Sequence, residues 1–241
     1  MERQPNSALV FGARNLGRAI IETLRDNGWG VAGVARSDET LAGVSALGGL
    51  AIRGDVTDPA AVGHALEEAA TAHGPLDLVV NAASAYGGTR AGPFGGGPLA
   101  EAGRDAFDAW AVAPPRAAFS FLSASGRFLL AQGRPATIVQ VTGGSSRRAM
   151  PGRGLWAAGA FGVRALTQAA ALELRDRGIQ VTLLIVDAGI EPLSGARRGA
   201  DPAALADPHE IAQAVRFLAE QRSRAATHEL QVTPLAERWV P

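Results

Sequence analysis

The 241-residue chain contains no lysine: all 23 of its basic residues are arginine. No lysine amine is therefore available to form a Schiff base with a carbonyl substrate or with pyridoxal phosphate. Cysteine is also absent, which excludes disulfides, thiolate catalysis and cysteine-ligated zinc. Aromatic residues make up only 5%, with a single tyrosine, Tyr86. The four histidines, His64, His73, His209 and His228, show no spacing that suggests a metal site. Net charge is zero and the pI is near 6.9, so nothing in the balance calls for nucleic acid or an anionic membrane as partner. No apolar run reaches membrane-spanning length, and residues 1–6 carry no apolar stretch of the signal-peptide kind. A cytoplasmic location is the expectation.

What is present points to a packed α/β protein. Hydrophobic residues make up 47% and charged ones only 19%, ample for a sizeable core. Short β-branched runs alternate with longer Ala/Leu/Arg segments. Residues 7–12, 30–35, 50–54, 76–81, 136–142, 179–186 and 228–232 read as strands. Several, such as Leu78-Val79-Val80, are apolar without alternation, the mark of strands buried on both faces. Helices are predicted over 17–27, 58–73, 101–132, 155–177 and 207–221. The second opens on Asp58 as N-cap with Pro59 at the first helical position. Strand–helix alternation of this kind implies a doubly wound parallel sheet of seven strands with helices on both faces. No linker interrupts it, so residues 1–241 are read as one domain, with 87–98 as a long loop.

A glycine turn, Gly12-Ala13-Arg14-Asn15-Leu16-Gly17, lies between the first strand and the first helix. Such a turn lets backbone amides approach a pyrophosphate, whose charge the helix N-terminus favours. Asp55-Val56 follows the third strand and Asn81-Ala82-Ala83-Ser84 the fourth. With these residues the chain resembles the short-chain dehydrogenase/reductase family over nearly its whole length. The family's TGxxxGxG turn matches Gly12 and Gly17, but here it is one residue short and Asn15 stands near the middle glycine's place. Asn tolerates left-handed backbone angles, which would let the turn survive. Asp55-Val56 resembles the family's adenine-contacting pair, and Asn81-Ala82-Ala83 its Asn-Asn-Ala. Residues 155–174, followed by Arg177-Gly178-Ile179-Gln180-Val181, are similar to its catalytic helix and next strand. The resemblance is to a divergent subgroup and implies a Rossmann-like fold with a dinucleotide held by Gly12, Arg14, Asn15, Leu16, Gly17, Arg36, Asp55, Val56, Asn81, Ala82 and Ala83. Arg36 ends the second strand, where an NAD-preferring member usually carries Asp. With Arg14 it would meet a 2′-phosphate, so NADP(H) is the expected cofactor.

The family's catalytic tetrad does not carry over. Aligned on 161–167, Trp156 takes the place of the Tyr, Ala160 that of the Lys, Gly143 that of the Ser and Ala113 that of the Asn. An indole N–H donates a hydrogen bond but does not surrender its proton near pH 7. A positioned proton donor typically contributes about 10²–10⁴-fold, so ordinary carbonyl reduction is expected to be severely impaired. Tyr86, just past the fourth strand, is the one candidate for a relocated acid, loop packing being its simpler role. Arg147, Arg148 and Arg153 after the fifth strand, with Arg197 and Arg198 after the sixth, would attract an anionic small-molecule ligand or else be solvated loop charges.

Three functions stand open. One is an NADP(H)-binding protein with a degenerate active site. Another is an oxidoreductase of non-standard chemistry that uses NADPH on an unknown substrate, anionic or not. The third is a non-catalytic interaction subunit that binds no cofactor. A homodimer or homotetramer is expected through the face Ala157, Ala158, Gly162, Ala165 and Ala169, small enough for two helices to approach closely.

Overall fold

The computed structural model describes residues 6–84, 92–194, 201–221 and 224–236. Seven parallel strands form one sheet in the spatial order β3-β2-β1-β4-β5-β6-β9. They are β1 (Ser7–Phe11), β2 (Gly30–Ala35), β3 (Leu50–Arg53), β4 (Leu78–Asn81), β5 (Ala136–Gly143), β6 (Ile179–Val186) and β9 (Glu229–Val232). A two-residue pair, β7 (Gly189–Ile190) with β8 (Leu205–Ala206), lies between β6 and the last helix in sequence. The chain winds outward from β1 to β3, returns to β4 beside β1, then winds outward the other way. The reversal between β1 and β4 opens a crevice at their carboxyl ends, the usual ligand site of such sheets.

Side chains of β1 explain why both faces are covered. Leu9 and Phe11 point into one apolar cluster, with Val62 and Leu66 of α3 (Pro59–His73) and Phe121 and Leu129 of α5 (Ala113–Gln132). Ala8 and Val10 point the other way, onto Ile20, Ile21 and Leu24 of α1 (Asn15–Asp26) and Val215 and Leu218 of α7 (Pro208–Ala219). Val44 of α2 (Asp38–Ala46) joins this second cluster. Each fully buried Leu, Ile or Phe contributes about 1.5–3 kcal/mol. No described helix is long and apolar enough to cross a membrane.

The helix starts follow local chemistry. Asp58 caps α3 by accepting from Ala60 N–H (2.9 Å), and Asp207 caps α7 by accepting from His209 N–H (2.6 Å). α2 was not among the predicted helices. Its start is nonetheless written in Ser37, whose hydroxyl accepts from Thr40 N–H (3.4 Å), followed by acidic Asp38 and Glu39. The helix predicted over 101–132 is interrupted: α4 (Arg104–Phe107) runs into a π turn over Asp108–Val112 before α5. Pro114 and Pro115 are the cause, since neither has an N–H to give to the preceding turn, and the wider turn absorbs the gap. The last long helix is α6 (Gly154–Leu174), packed against α5.

Candidate functional site

Gly12 begins the crevice with φ of +82°, and a Cβ there would stand 2.5 Å from the Ala83 backbone. Only glycine meets both demands. A Cβ on Gly17 would collide with the Gly12 carbonyl, so the start of α1 and the end of β1 touch backbone to backbone. Arg14 is the N-cap of α1 but makes no side-chain cap bond, and the first turn holds no acidic residue. The helix start thus keeps the positive end of its dipole uncompensated, a setting that suits phosphate.

The other predicted crevice residues converge on the same edge. Arg36 is exposed and its Nη1 reaches Asp55 Oδ2 at 3.4 Å. Burial raises the Asp55 carboxyl pKa, but the Thr57 backbone and hydroxyl and the Arg36 charge outweigh it and hold it below the ordinary value. Val56 is buried in the first apolar cluster. Asn81 is buried, and its carboxamide is engaged: Nδ2 donates to Gln140 Oε1 (3.0 Å) and Oδ1 accepts from Ala83 N–H (3.1 Å). It shapes the 81–83 turn beneath Gly12.

Asn15 corrects an expectation. It does not adopt a left-handed backbone, since no non-glycine residue among those described has positive φ. It occupies the first turn of α1, and its carboxamide bonds the segment after β6 at Glu191 and Leu193.

Gly143 at the end of β5 and Trp156 in the first turn of α6 are brought into contact. A Cβ on Gly143 would lie 3.4 Å from Cζ2 of the Trp156 ring. Ala160, one turn further along α6, is buried. Its neighbour Gly159 presses on the carbonyl of Trp110 and lies near Pro114, which brings the Ala113 end of α5 to the same place. All four positions aligned with the tetrad therefore meet at one corner of the sheet edge. The corner is lined with aromatic rings that were not foreseen: Phe94 stacks edge-on against Trp156 (4.8 Å between centroids) and Trp110 (5.1 Å). Glycine-rich 95–97, with positive φ at all three residues, carries Phe94 there. Tyr86 lies outside the described residues.

Of the arginines expected to draw an anion, the three that follow β5 are engaged within the protein. Arg148 forms an ion pair with buried Asp187, its Nη2 3.2 Å from Oδ1. Arg147 reaches Glu229 (3.5 Å), which also holds Arg164 through two bonds of 2.8 Å. Arg153 lies over the Phe94 ring at 5.5 Å. Arg197 and Arg198 fall outside the described residues. Among the histidines, His64 pairs with Glu68 and His209 with Glu22, and no described cluster of His, Asp and Glu would hold a metal.

With this geometry in hand, residues 6–190 match the model of the short chain dehydrogenase family. The chain belongs to that family. A curated relative, the short-chain dehydrogenase/reductase eriH of Hericium erinaceus, is 28% identical over 91% of this chain and 92% of its own. An alcohol dehydrogenase of the archaeon Thermococcus sibiricus, solved with 5-hydroxy-NADP, superposes with a TM-score of 0.79 at 23% identity, covering 98% of this chain and 99% of that one. A metagenomic short-chain oxidoreductase solved with NADP gives a TM-score of 0.73 at 26% identity over 96% and 98%. The Rossmann-like parallel sheet expected from the sequence is thus the family's own fold.

Proposed function

We propose that the protein binds NADP(H) in the crevice between β1 and β4 and that its site does not carry out ordinary carbonyl reduction. The crevice residues suit the phosphate-rich half of the cofactor: an uncapped helix start, a glycine turn, and Arg36 with Arg14 at the edge where a 2′-phosphate would sit. The NADP held by the metagenomic relative supports the choice of cofactor. When bound, the cofactor supplies hydride.

The observation that carries the second half is the contact of Gly143 with Trp156 beside Ala160. Of the four residues aligned with the tetrad at that corner, none offers a hydroxyl to hold a carbonyl or a phenol to hand over a proton. With no lysine anywhere in the chain, no ammonium lowers such a group's pKa. Trp156 instead packs with Phe94 and Trp110 over the space a carbonyl substrate would need.

Titrating NADPH and NADH against tryptophan fluorescence tests the first half: NADPH should bind more tightly, and Arg36→Ala should remove most of the preference. A screen of NADPH oxidation over ketones and aldehydes tests the second. Turnover of any simple ketone at about 1 s⁻¹ or more, an ordinary enzymatic rate, would refute it. The Asn15 bonds across the crevice favour a second reading, a subunit that takes no cofactor. The same titration separates the two.

A further inference from the structure

Glycine has no side chain to offer at the start of α1; asparagine has a donor and an acceptor, and Asn15 spends both on one distant segment. Its Nδ2 donates to the Glu191 carbonyl (3.0 Å), and its Oδ1 accepts from Leu193 N–H (2.8 Å). On the far side the same segment is fixed by pairing of Gly189 and Ile190 with Leu205 and Ala206, and by Glu191 N–H on the Ala206 carbonyl (2.9 Å). Ile190 and Leu193 rest on the second apolar cluster. Residues 189–193 are thus stretched between β8 and the start of α1. Asn15 is the tie at the end nearest the glycine turn.

We propose that Asn15 is a latch. It holds residues 189–193 against the first turn of α1, so that a dinucleotide phosphate gains the helix start only after the carboxamide releases Glu191 and Leu193. The inference rests on the NADP(H) reading above. Two neutral hydrogen bonds of ordinary strength bias the closed arrangement by roughly 10- to 100-fold, and a binding-competent state so depleted lowers apparent affinity by the same factor. Asn15 therefore slows cofactor entry and lowers its apparent affinity through the population of the open arrangement.

Two variants separate the latch from a merely structural role. Asn15→Ala removes both bonds while keeping a good helix residue. Asn15→Asp keeps the acceptor for Leu193 N–H, loses the donor to Glu191, and sets a negative charge against incoming phosphate. Hydrogen exchange of the apo protein, read by NMR, should find the Leu193 amide protected in wild type and Asn15→Asp. It should exchange about 10-fold faster or more in Asn15→Ala, with the β1 and β4 amides still the slowest of the chain and the melting temperature lowered by no more than several degrees, as the loss of two hydrogen bonds implies. Equal Leu193 exchange in wild type and Asn15→Ala would overturn the latch. Stopped-flow NADPH binding should then show association about 10-fold faster in Asn15→Ala and slower in Asn15→Asp. Equal association in wild type and Asn15→Ala would overturn the gating. If none of the three binds NADPH while Leu193 loses protection as stated, the cofactor reading falls and the gating with it, and only the Asn15 tie on residues 189–193 stands. Binding by Asn15→Ala alone would support both.

Discussion

Two adjacent glycines at the end of β5 are there for different reasons. Gly144 is obligatory, because a Cβ there would collide with the carboxylate of buried Asp187, itself held by Arg148. Gly143 has φ of −105° and ψ of 173°, an extended backbone open to any residue, and a Cβ would make only ordinary contact with Trp156. Serine at 143 is thus permitted by the backbone, and its absence belongs with the indole opposite. Restoring Trp156→Tyr with Ala160→Lys should nevertheless yield little. Gly143 still cannot hold a carbonyl, Ala113 still offers no side-chain amide, and groups acting as a unit contribute non-additively. The lysine would also have to be fitted at a position 4% exposed. NADPH consumption over a ketone panel should stay below about 1 s⁻¹ for wild type and double variant alike. A double variant reaching that rate would show the remaining two positions to be dispensable. A separate residue governs acid stability. Burial favours neutral His73 and lowers its pKa from 6.5, with the Arg25 charge adding to the effect against a bond to the Val31 backbone. The unfolded chain then binds more protons below pH 6.5, so stability is complete above that pH and is lost as pH falls from it toward the folded value. Asp55 and Glu22, both lowered, act further down, below the carboxylate values of 3.8 and 4.5. The melting temperature of wild type should therefore drop between pH 7 and 5 more steeply than that of His73→Phe. Parallel curves would remove His73 from the account.

Among the elements, α5 and α6 meet at a point that a side chain would spoil. Gly159 faces the carbonyl of Trp110, to which Pro114 has no N–H to offer, and a Cβ there would collide with that oxygen. Gly159→Ala should cost about 1–3 kcal/mol, the usual penalty for overpacking. A loss of unfolding free energy of less than about a third of that would show the π turn to be pliant. The same junction shows what the sequence could and could not disclose. Strands such as Leu183–Val186 were legible because apolar runs without alternation suit a sheet covered on both faces, and α3 because Asp58-Pro59 announces it. The positions aligned with the tetrad were assigned by spacing from 161–167, and it is the fold that brings the end of β5, the start of α5 and the first turns of α6 together. The π turn was not read, although Pro114-Pro115 signals a break, because helical periodicity on either side masks it. The ring cluster of Phe94, Trp110 and Trp156 joins three separate elements, and no local pattern encodes such a meeting. Asn15 was read by its backbone tolerance when its side chain is what matters, since its partners lie 176 and 178 residues away.

For the molecule as a whole, the face of α6 expected to pair with a second copy divides in two. Ala157 is buried and Gly162 lies against Pro115 of α5, so neither is left to face a second copy. Ala158, Ala165 and Ala169 remain exposed, and they share their stripe with Phe161 and Leu172, 45% and 61% exposed. Positions 158, 161, 165, 169 and 172 follow helical spacing and leave an apolar ridge in water, with Phe119 of α5 also exposed. A stripe of two large and three small apolar residues suits a second α6 laid close alongside, and a two-fold pairing buries the same ridge on both copies. The first turns of this helix carry Trp156 and Ala160, so pairing would also stiffen the corner where the tetrad positions meet. Light scattering should report a dimer, or a tetramer built from it, at micromolar concentration. Phe161→Arg with Leu172→Arg should halve the mass, because burying paired like charges at a symmetric contact is costly, while circular dichroism stays unchanged. A monomeric wild type would refute the pairing, and a variant that keeps the wild-type mass would place it on another surface.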